Sequence, residues 1–528
     1  MARFYIENFG CRATQADGAE LERQFRERGM ERAGAARDAE IVVLNTCTVT
    51  EGADKDARAS IRKLQRENPA CRILVTGCYA QRAPEELARM PGVAWVVGNS
   101  HKHQAAEIVA ASSLSGGFVS LAQLSGAAAG FSRNRIERDR VVHPNIVVGD
   151  IFAHTELMAA PVFEAANERT RPNLKVQDGC DNRCSFCVIP YVRGQSRSLP
   201  MERVIGEVRA LVDAGYREVV ISGINLGRWG RDLESGVGRS SLVVGEPNPS
   251  SDAISLRNRE RPATNDQRLV DLIRTLLEHT SLEKLRISSV EPMDWSDELI
   301  RLVAESPRIA KHAHVPLQSG SDAVLRRMHR KYRPWHYREK IGKIRSAMPS
   351  AAIGADVMVG FPGETEAEFA ETRQMVEELP FTYLHVFTYS ARPGTPAAEQ
   401  SDQVPVTVAR ERNRELREIA GAKKRAFARS VVGSTVEAIT LRARSGTFTE
   451  ALTDNYLKMK VAGEVEANRW LHARVEDTDG DMLLGRELVF CGSHQPPTGT
   501  SATPWAEGRN AIVLSSPIKS LTGKPVQG

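Results

Sequence analysis

Cys180-Asp-Asn-Arg-Cys184-Ser-Phe-Cys187 follows a candidate strand at residues 174–177 and, immediately before it, a glycine, Gly179. Three thiols this close in sequence cannot spread apart, so they converge on one compact centre. Gly179 permits the tight turn into such a loop. Soft thiolate sulfur suits the irons of a cubane cluster, and three ligands leave one iron open to chelate a small molecule. The competing reading is a zinc site. Zinc usually wants a fourth Cys or His at knuckle spacing, and none follows within the next twenty residues.

Outward from this loop, residues 173–404 alternate strand-like and helix-like stretches. Candidate strands lie at 174–177, 218–222, 284–289, 312–317, 352–359 and 384–389. Between them Val204, Val208, Leu211 and Val212, then Leu269, Leu272, Ile273, Leu276 and Leu277, keep helical spacing. Six such units predict a partial (β/α)6 barrel, with its chemistry at the carboxyl ends of the strands. Gly223, Asn225, Ser289, Glu291, Gln318 and Asp356 fall at or near those ends. With Phe186 in the cysteine loop they are candidate cofactor contacts. The plainer reading is that Gly and Ser simply end strands. Residues 234–268 interrupt the alternation with Ser, Gly, Pro, Asn and Arg, and read as a disordered insertion.

Residues 1–111 carry a second α/β pattern, with strands expected at 4–8, 41–44, 73–75 and 93–97 in a parallel sheet. Cys11, Cys47 and Cys78 each lie just past one of these strands. In an open parallel sheet those ends share one edge, so three cysteines separated by whole βα units can meet. They also sit in polar turns, unlike inert core cysteines, and predict a second three-thiolate centre. Cys71 precedes its strand and belongs at the opposite edge; it and Cys491 read as bystanders.

Residues 112–172 read as a linker. Residues 405–430 form a basic helix, with Arg410, Arg412, Arg414, Arg417, Lys423, Lys424, Arg425 and Arg429 against three glutamates. A solvated helix face is the plain reading of such a run; phosphate contact is the functional one. Apolar–polar alternation within 431–491 predicts a small antiparallel β-barrel, and 492–528 reads as an unstructured tail. The chain has 528 residues and a net charge of +5, with 26% charged and 41% hydrophobic residues. That composition excludes a wholly disordered chain. There is no run of ~18 apolar residues for a membrane span and no apolar signal core at the start, so the cytoplasm is expected.

This order of motifs resembles the radical S-adenosylmethionine methylthiotransferase family, over nearly all of residues 1–490. Asn45-Thr-Cys-Thr-Val-Thr50, Gly179 to Gly194 and Ser222-Gly-Ile-Asn-Leu-Gly-Arg-Trp-Gly-Arg-Asp232 look like its threonylcarbamoyladenosine branch. The resemblance implies two [4Fe–4S] clusters. Cys180, Cys184 and Cys187 would hold the one that binds S-adenosylmethionine; Cys11, Cys47 and Cys78 would hold an auxiliary one that presents sulfur. It further implies a TRAM-like, RNA-binding C-terminal barrel. The implied reaction adds a methylthio group to C2 of N6-threonylcarbamoyladenosine, beside the anticodon at position 37 of tRNA. A flavodoxin- or ferredoxin-like electron donor and a sulfur source are implied as partners, with no membrane. The rivals are isopentenyladenosine of tRNA or a ribosomal-protein aspartate as substrate. From another class comes a non-catalytic iron–sulfur protein that docks on RNA. The 234–268 insertion and the 492–528 tail depart from the family pattern.

Overall fold

Strands β1 (Arg3–Asn8), β2 (Glu31–Arg32), β3 (Ile41–Thr46), β4 (Arg72–Gly77), β5 (Val93–Gly98) and β6 (Ile146–Val147) form one sheet in the order β2-β1-β3-β4-β5-β6. Every pairing is parallel. Successive side chains in a strand point to opposite faces. Val42, Leu44, Ile73 and Val75 therefore pack with Ile61 and Leu64 of the helix Glu51–Glu67. Ile41, Val43 and Leu74 pack on the other face with Leu21 and Phe25 of the helix Arg12–Glu27. β3 is buried along its whole length, as a central parallel strand covered on both faces should be. The carboxyl ends of β1, β3 and β4 consequently lie side by side. Cys71 is in the apolar core beside Ile73.

The second region holds β7 (Asn173–Asp178), β8 (Arg197–Ser198), β9 (Glu218–Gly223), β10 (Lys284–Ile287), β11 (His312–His314), β12 (Ala352–Val359) and β13 (Tyr383–Thr388). Two sheets, β10-β9-β7-β8 and β11-β12-β13, are joined by parallel bridges at Leu285–Ile309 and Ser289–His314. The expected partial barrel is thus present, in the order β7-β9-β10-β11-β12-β13. β8 is a short antiparallel addition to β7. Leu174, Val176, Val219, Ile221, Leu285, Ile287, Ala313, Ile353 and Val357 form the core under the surrounding helices. The alternate positions, including Lys175, Gln177, His312, His314, Asp356, Tyr383, His385 and Phe387, turn to the concave side. That side is polar and aromatic, which leaves it free for chemistry.

The helix Val406–Ser430 leads into a closed barrel of β14 (Thr435–Ser445), β15 (Phe448–Thr453), β16 (Lys458–Ala462), β17 (Trp470–Asp479) and β18 (Met482–Glu487), in ring order β14-β15-β16-β18-β17. The expected antiparallel barrel has one parallel seam, between β16 and β18. Five strands cannot alternate direction all the way round a closed ring, so one pair must run parallel.

The computed structural model describes residues 1–114, 145–154, 157, 170–233, 266–445 and 447–488. Most of the 112–172 linker, the insertion at 234–265, the 492–528 tail and Cys491 lie outside them. The last three residues of the expected insertion belong to the helix Asp266–His279. Met1–Leu488 form one compact unit. Among the described residues no helix is long and apolar enough to cross a membrane.

Candidate active site

The three-cysteine loop leaves β7 at Gly179, whose φ is +71° and whose added Cβ would lie 1.9 Å from the Gln195 carbonyl oxygen. Only glycine fits there. Cys180 N donates to Gly194 O at 3.1 Å, and Cys187 N to Cys184 O at 3.1 Å, which folds the loop onto itself. Asn182 N donates to Cys180 Sγ at 3.4 Å, and Asn225 Nδ2 lies 3.8 Å from the same sulfur. Arg330 Nη1 is 3.3 Å from Cys184 Sγ, and its Nη2 pairs with Glu291. Burial, then the neighbouring Cys184, pushes the Cys187 thiol up to about 12. Burial likewise raises Cys180. Apolar surroundings disfavour free thiolates here, and a bound cation would reverse that.

The dispersed cysteines also converge. Cys11 is the N-cap of the helix Arg12–Glu27, Cys47 follows β3, and Cys78 opens the short helix Cys78–Arg82 after β4. Pairings Asn8–Asn45 and Thr46–Gly77 bring the three ends together. Gly10, at φ +95°, packs on Cys47 so closely that a Cβ would stand 2.5 Å from that of Cys47. The Cys47 thiol is pushed up to about 12 by burial, then by Cys78 and Cys11, which face it. Thr14 Oγ1 lies 3.5 Å from Cys11 Sγ, and Asn99 Nδ2 lies 3.5 Å from Cys78 Sγ.

The two triads meet at one apolar cluster. Cys78 packs with Val188, Ile189 and Val192, and Cys180 and Cys187 lie against the same side chains. Asn99 reaches this cluster, donating to Val192 O at 2.7 Å. The seven described cysteines are free thiols. Among the described residues no three cysteine sulfurs lie within 4.8 Å of one another, the spacing that a single ion would need. Two sets of three thiols, each drawn together without crowding, fit a cubane better than zinc.

Two buried ionic hubs hold the first sheet's domain against the partial barrel. Asp17 accepts from Lys102 at 2.9 Å, from Arg193 at 2.9 Å and from Lys175 of β7. Asp178 takes Lys175 at 2.8 Å and Arg193 at 2.9 Å. Burial alone would raise the Asp17 carboxyl, but Lys102, Lys175 and Arg193 outweigh it and hold it well below the usual range. The second hub is Asp54, which pairs with Arg82 at 2.8 Å and with Arg392 from beyond β13. Thr48, next to Cys47, donates to Asp54 at 2.6 Å and accepts from Arg392 at 2.8 Å. Sequence reading missed these residues. The available signal was Lys175 and Asp178, charged residues in a strand that is buried over Leu174–Asp178.

The expected cofactor contacts divide into groups. Asn225 stands beside Cys180, and Glu291 reaches the loop through Arg330. Gly223 gives room to Gln177, whose Oε1 would be 2.8 Å from an added Cβ. Phe186 packs edge-on to Phe361, with centroids 6.4 Å apart, in a pocket with Val324 and Met328. Ser289 and Asp356 belong to a separate group: Ser289 Oγ lies 2.8 Å from His314 Nδ1, and Asp356 lies between His314 and His385. Gln318, at φ 64°, clasps β12 through its backbone at Asp356 and Met358.

Residues 3–98 match the model described as uncharacterized protein family UPF0004, and residues 174–376 match the radical SAM superfamily. The chain is 35% identical over 468 residues to the threonylcarbamoyladenosine tRNA methylthiotransferase MtaB of Bacillus subtilis (strain 168), covering 88% of this chain and 91% of that protein. It is 32% identical to the protein of the same name from Aquifex aeolicus (strain VF5), covering 88% and 98%. It is also 32% identical to the tRNA-2-methylthio-N(6)-dimethylallyladenosine synthase of Erythrobacter litoralis (strain HTCC2594), covering 83% and 86%. Two thiol triads on one apolar layer and this similarity over most of both chains agree: the chain belongs to the radical SAM tRNA methylthiotransferase family.

Proposed function

We propose that this protein adds a methylthio group to C2 of N6-threonylcarbamoyladenosine at position 37 of tRNA. The observation that carries the reading is the apolar cluster of Val188, Ile189 and Val192, on which Cys78 of one thiol triad and Cys180 and Cys187 of the other both pack. Cys180, Cys184 and Cys187 would hold the cluster that binds S-adenosylmethionine, and Cys11, Cys47 and Cys78 the auxiliary one. When bound, these groups supply the radical that removes hydrogen from C2 and the sulfur that takes its place. An aromatic C–H offers no easy polar route at neutral pH, so this chemistry suits the task.

The chain's own residues do the rest. Arg330 places its guanidinium against the Cys184 sulfur and so holds that side chain in place. Cys11 is fixed at the N-cap of a 16-residue helix. Val188, Ile189 and Val192 keep water from the space between the triads, where a radical must not be quenched. Asp17 and Asp54 fix the spacing of the triads by tying the first domain to the barrel. Electrons come from a flavodoxin- or ferredoxin-like donor and sulfur from a separate source. A tRNA substrate puts the protein in the cytoplasm.

Relatives named for threonylcarbamoyladenosine and for dimethylallyladenosine are similar to this chain to nearly the same degree. Nucleoside mass spectrometry of tRNA from cells with and without the protein separates the two. Loss of 2-methylthio-N6-threonylcarbamoyladenosine is expected. Loss of the isopentenyl product instead would overturn the branch, and no change in either would overturn the tRNA reading.

A further inference from the structure

A cavity of about 470 Å³ lies where the partial barrel, the helix Val406–Ser430 and the C-terminal barrel meet. That is within the ~300–1,000 Å³ range of small-molecule sites. Four cations line it (Arg171, Arg417, Lys424 and Lys458) against one carboxylate, Glu450. Arg171 is half-buried and paired with Glu218, and Lys424 pairs with Asp481. Arg417 makes no ion pair among the described residues, and its side chain is exposed. An unpaired guanidinium in a cation-lined cleft suits a phosphate.

Tyr383, His385 and Tyr456 also line the cavity. Tyr383 and His385 are on β13, the open edge of the partial barrel, and point to its concave side. His385 and Phe387 nevertheless stay exposed, at 54% for the His385 side chain and 45% for Phe387. Concave-side residues that remain exposed mark the mouth of the barrel. The His385 and Phe387 rings stand edge to face at 6.4 Å, and those of Tyr383 and His385 are 5.4 Å apart. Such faces stack bases.

His385 is also oriented. In the neutral ring its Nδ1 donates to Asp356 Oδ1 at 3.2 Å, which leaves Nε2 as an acceptor. His314 Nε2 lies 3.3 Å from the same oxygen, and Ser289 holds the far side of the His314 ring. We propose that the cavity docks the single-stranded RNA around the target nucleotide, with Arg417 and Lys458 on its phosphates. His385 receives the base through a hydrogen bond to Nε2, and Asp356 is its positioning residue. This rests on the tRNA reading above and names the place where that substrate enters.

The test uses the holoenzyme and an anticodon stem–loop carrying threonylcarbamoyladenosine. By fluorescence anisotropy, Arg417→Ala and Lys458→Ala should each weaken binding severalfold and lower the salt slope by about one. His385→Ala should lower kcat/KM for methylthiolation about tenfold, mainly through KM, the loss expected for one hydrogen bond. His385→Gln, which keeps an acceptor near Nε2, should recover most of the loss. Unchanged affinity and salt slope in both cation variants would overturn the docking site. The side chains of His314, Asp356 and His385 also stand close enough to hold one metal ion. Stoichiometric Mn²⁺ binding by EPR, abolished in His385→Ala, would overturn the base-receiving role. A wild-type enzyme that thiolates no tRNA would instead defeat the reading of function itself.

Discussion

Arg392→Ala tests whether the first domain is tied to the barrel by charge. Arg392 and Asp54 are each 2% exposed, and Thr48 between them is fully buried. Removing one partner of such a pair typically costs about 3–5 kcal/mol, because a buried charge is left uncompensated. Asp54 would still keep Arg82 at 2.8 Å and the Thr48 hydroxyl at 2.6 Å, so Arg392→Ala belongs near 3 kcal/mol on that scale. Asp54→Ala leaves two guanidiniums facing each other and belongs near 5 kcal/mol by the same principle. Arg82→Ala should cost least, since the Arg82 side chain is 17% exposed and water reaches its partner once it is gone. Anaerobic urea unfolding gives the order through the midpoints. The second assay is the ratio of methylthio product to 5′-deoxyadenosine. Thr48 adjoins Cys47, so loosening it should lower that ratio while cofactor cleavage continues. The reasoning fails if Asp54→Ala is no more destabilised than Arg392→Ala. It also fails if both lie within about 0.5 kcal/mol of wild type, the range of ordinary surface substitutions.

Three further outcomes are expected. Cys184→Ala should abolish 5′-deoxyadenosine formation and leave about four irons in place of about eight; Cys47→Ala should lose the same iron but spare cleavage, and Cys71→Ala should keep both clusters. Gly10→Ala puts a Cβ 2.5 Å from that of Cys47 at φ +95°, a conformation costing about 1–2 kcal/mol before any clash, and iron analysis should show the auxiliary cluster lost first. Burial, then Arg197, lowers the His154 pKa to about 4, and burial, then Arg286, holds His312 well below its ordinary value. The unfolded rings take a proton near pH 6.5, so their contribution is complete above that pH and lost as pH falls through it. Urea midpoints should drop between pH 7 and pH 5, and the drop should shrink in His154→Gln.

The cysteine geometry was legible because it depends on strand order alone. A parallel sheet puts the carboxyl ends of β1, β3 and β4 at one edge whatever the side chains do, so Cys11, Cys47 and Cys78 could be placed together from spacing. The partial barrel was legible for the same reason: its core positions alternate with period two. What stayed hidden depends on how separate units dock. Asp17 lies on a helix among small residues, and nothing local says that its partners are Lys175 and Arg193, more than 150 residues later. Arg330 is likewise far from Cys184 in the chain. Asp356 and Ser289 were expected near strand ends as cofactor contacts; the structure places both beside His314, a neighbour that position along a strand does not reveal. Phe186 packs beside Phe361, a neighbour far along the chain that its place in the ligand loop did not indicate.

The first domain therefore completes the barrel and does more than cover it. Lys175 and Arg193 are each 2% exposed, and without Asp17 only Asp178 would balance them. A barrel alone would hold two buried cations on one carboxylate, with Arg197 a third cation 4.0 Å from it. In the dry interface that the assembled chain forms, such an excess requires the second carboxylate, which Asp17 supplies. Removal of the first domain would also bare Val188, Ile189 and Val192, on which cysteines of both triads pack. The charges that make the barrel incomplete and the apolar layer that keeps a radical from water are covered by the same docking. Because Asp17 sits one turn from Thr14, which touches Cys11, the contact that neutralises the barrel also sets where the auxiliary thiols stand. The spacing of the two thiol centres is for this reason a property of packed, buried charge.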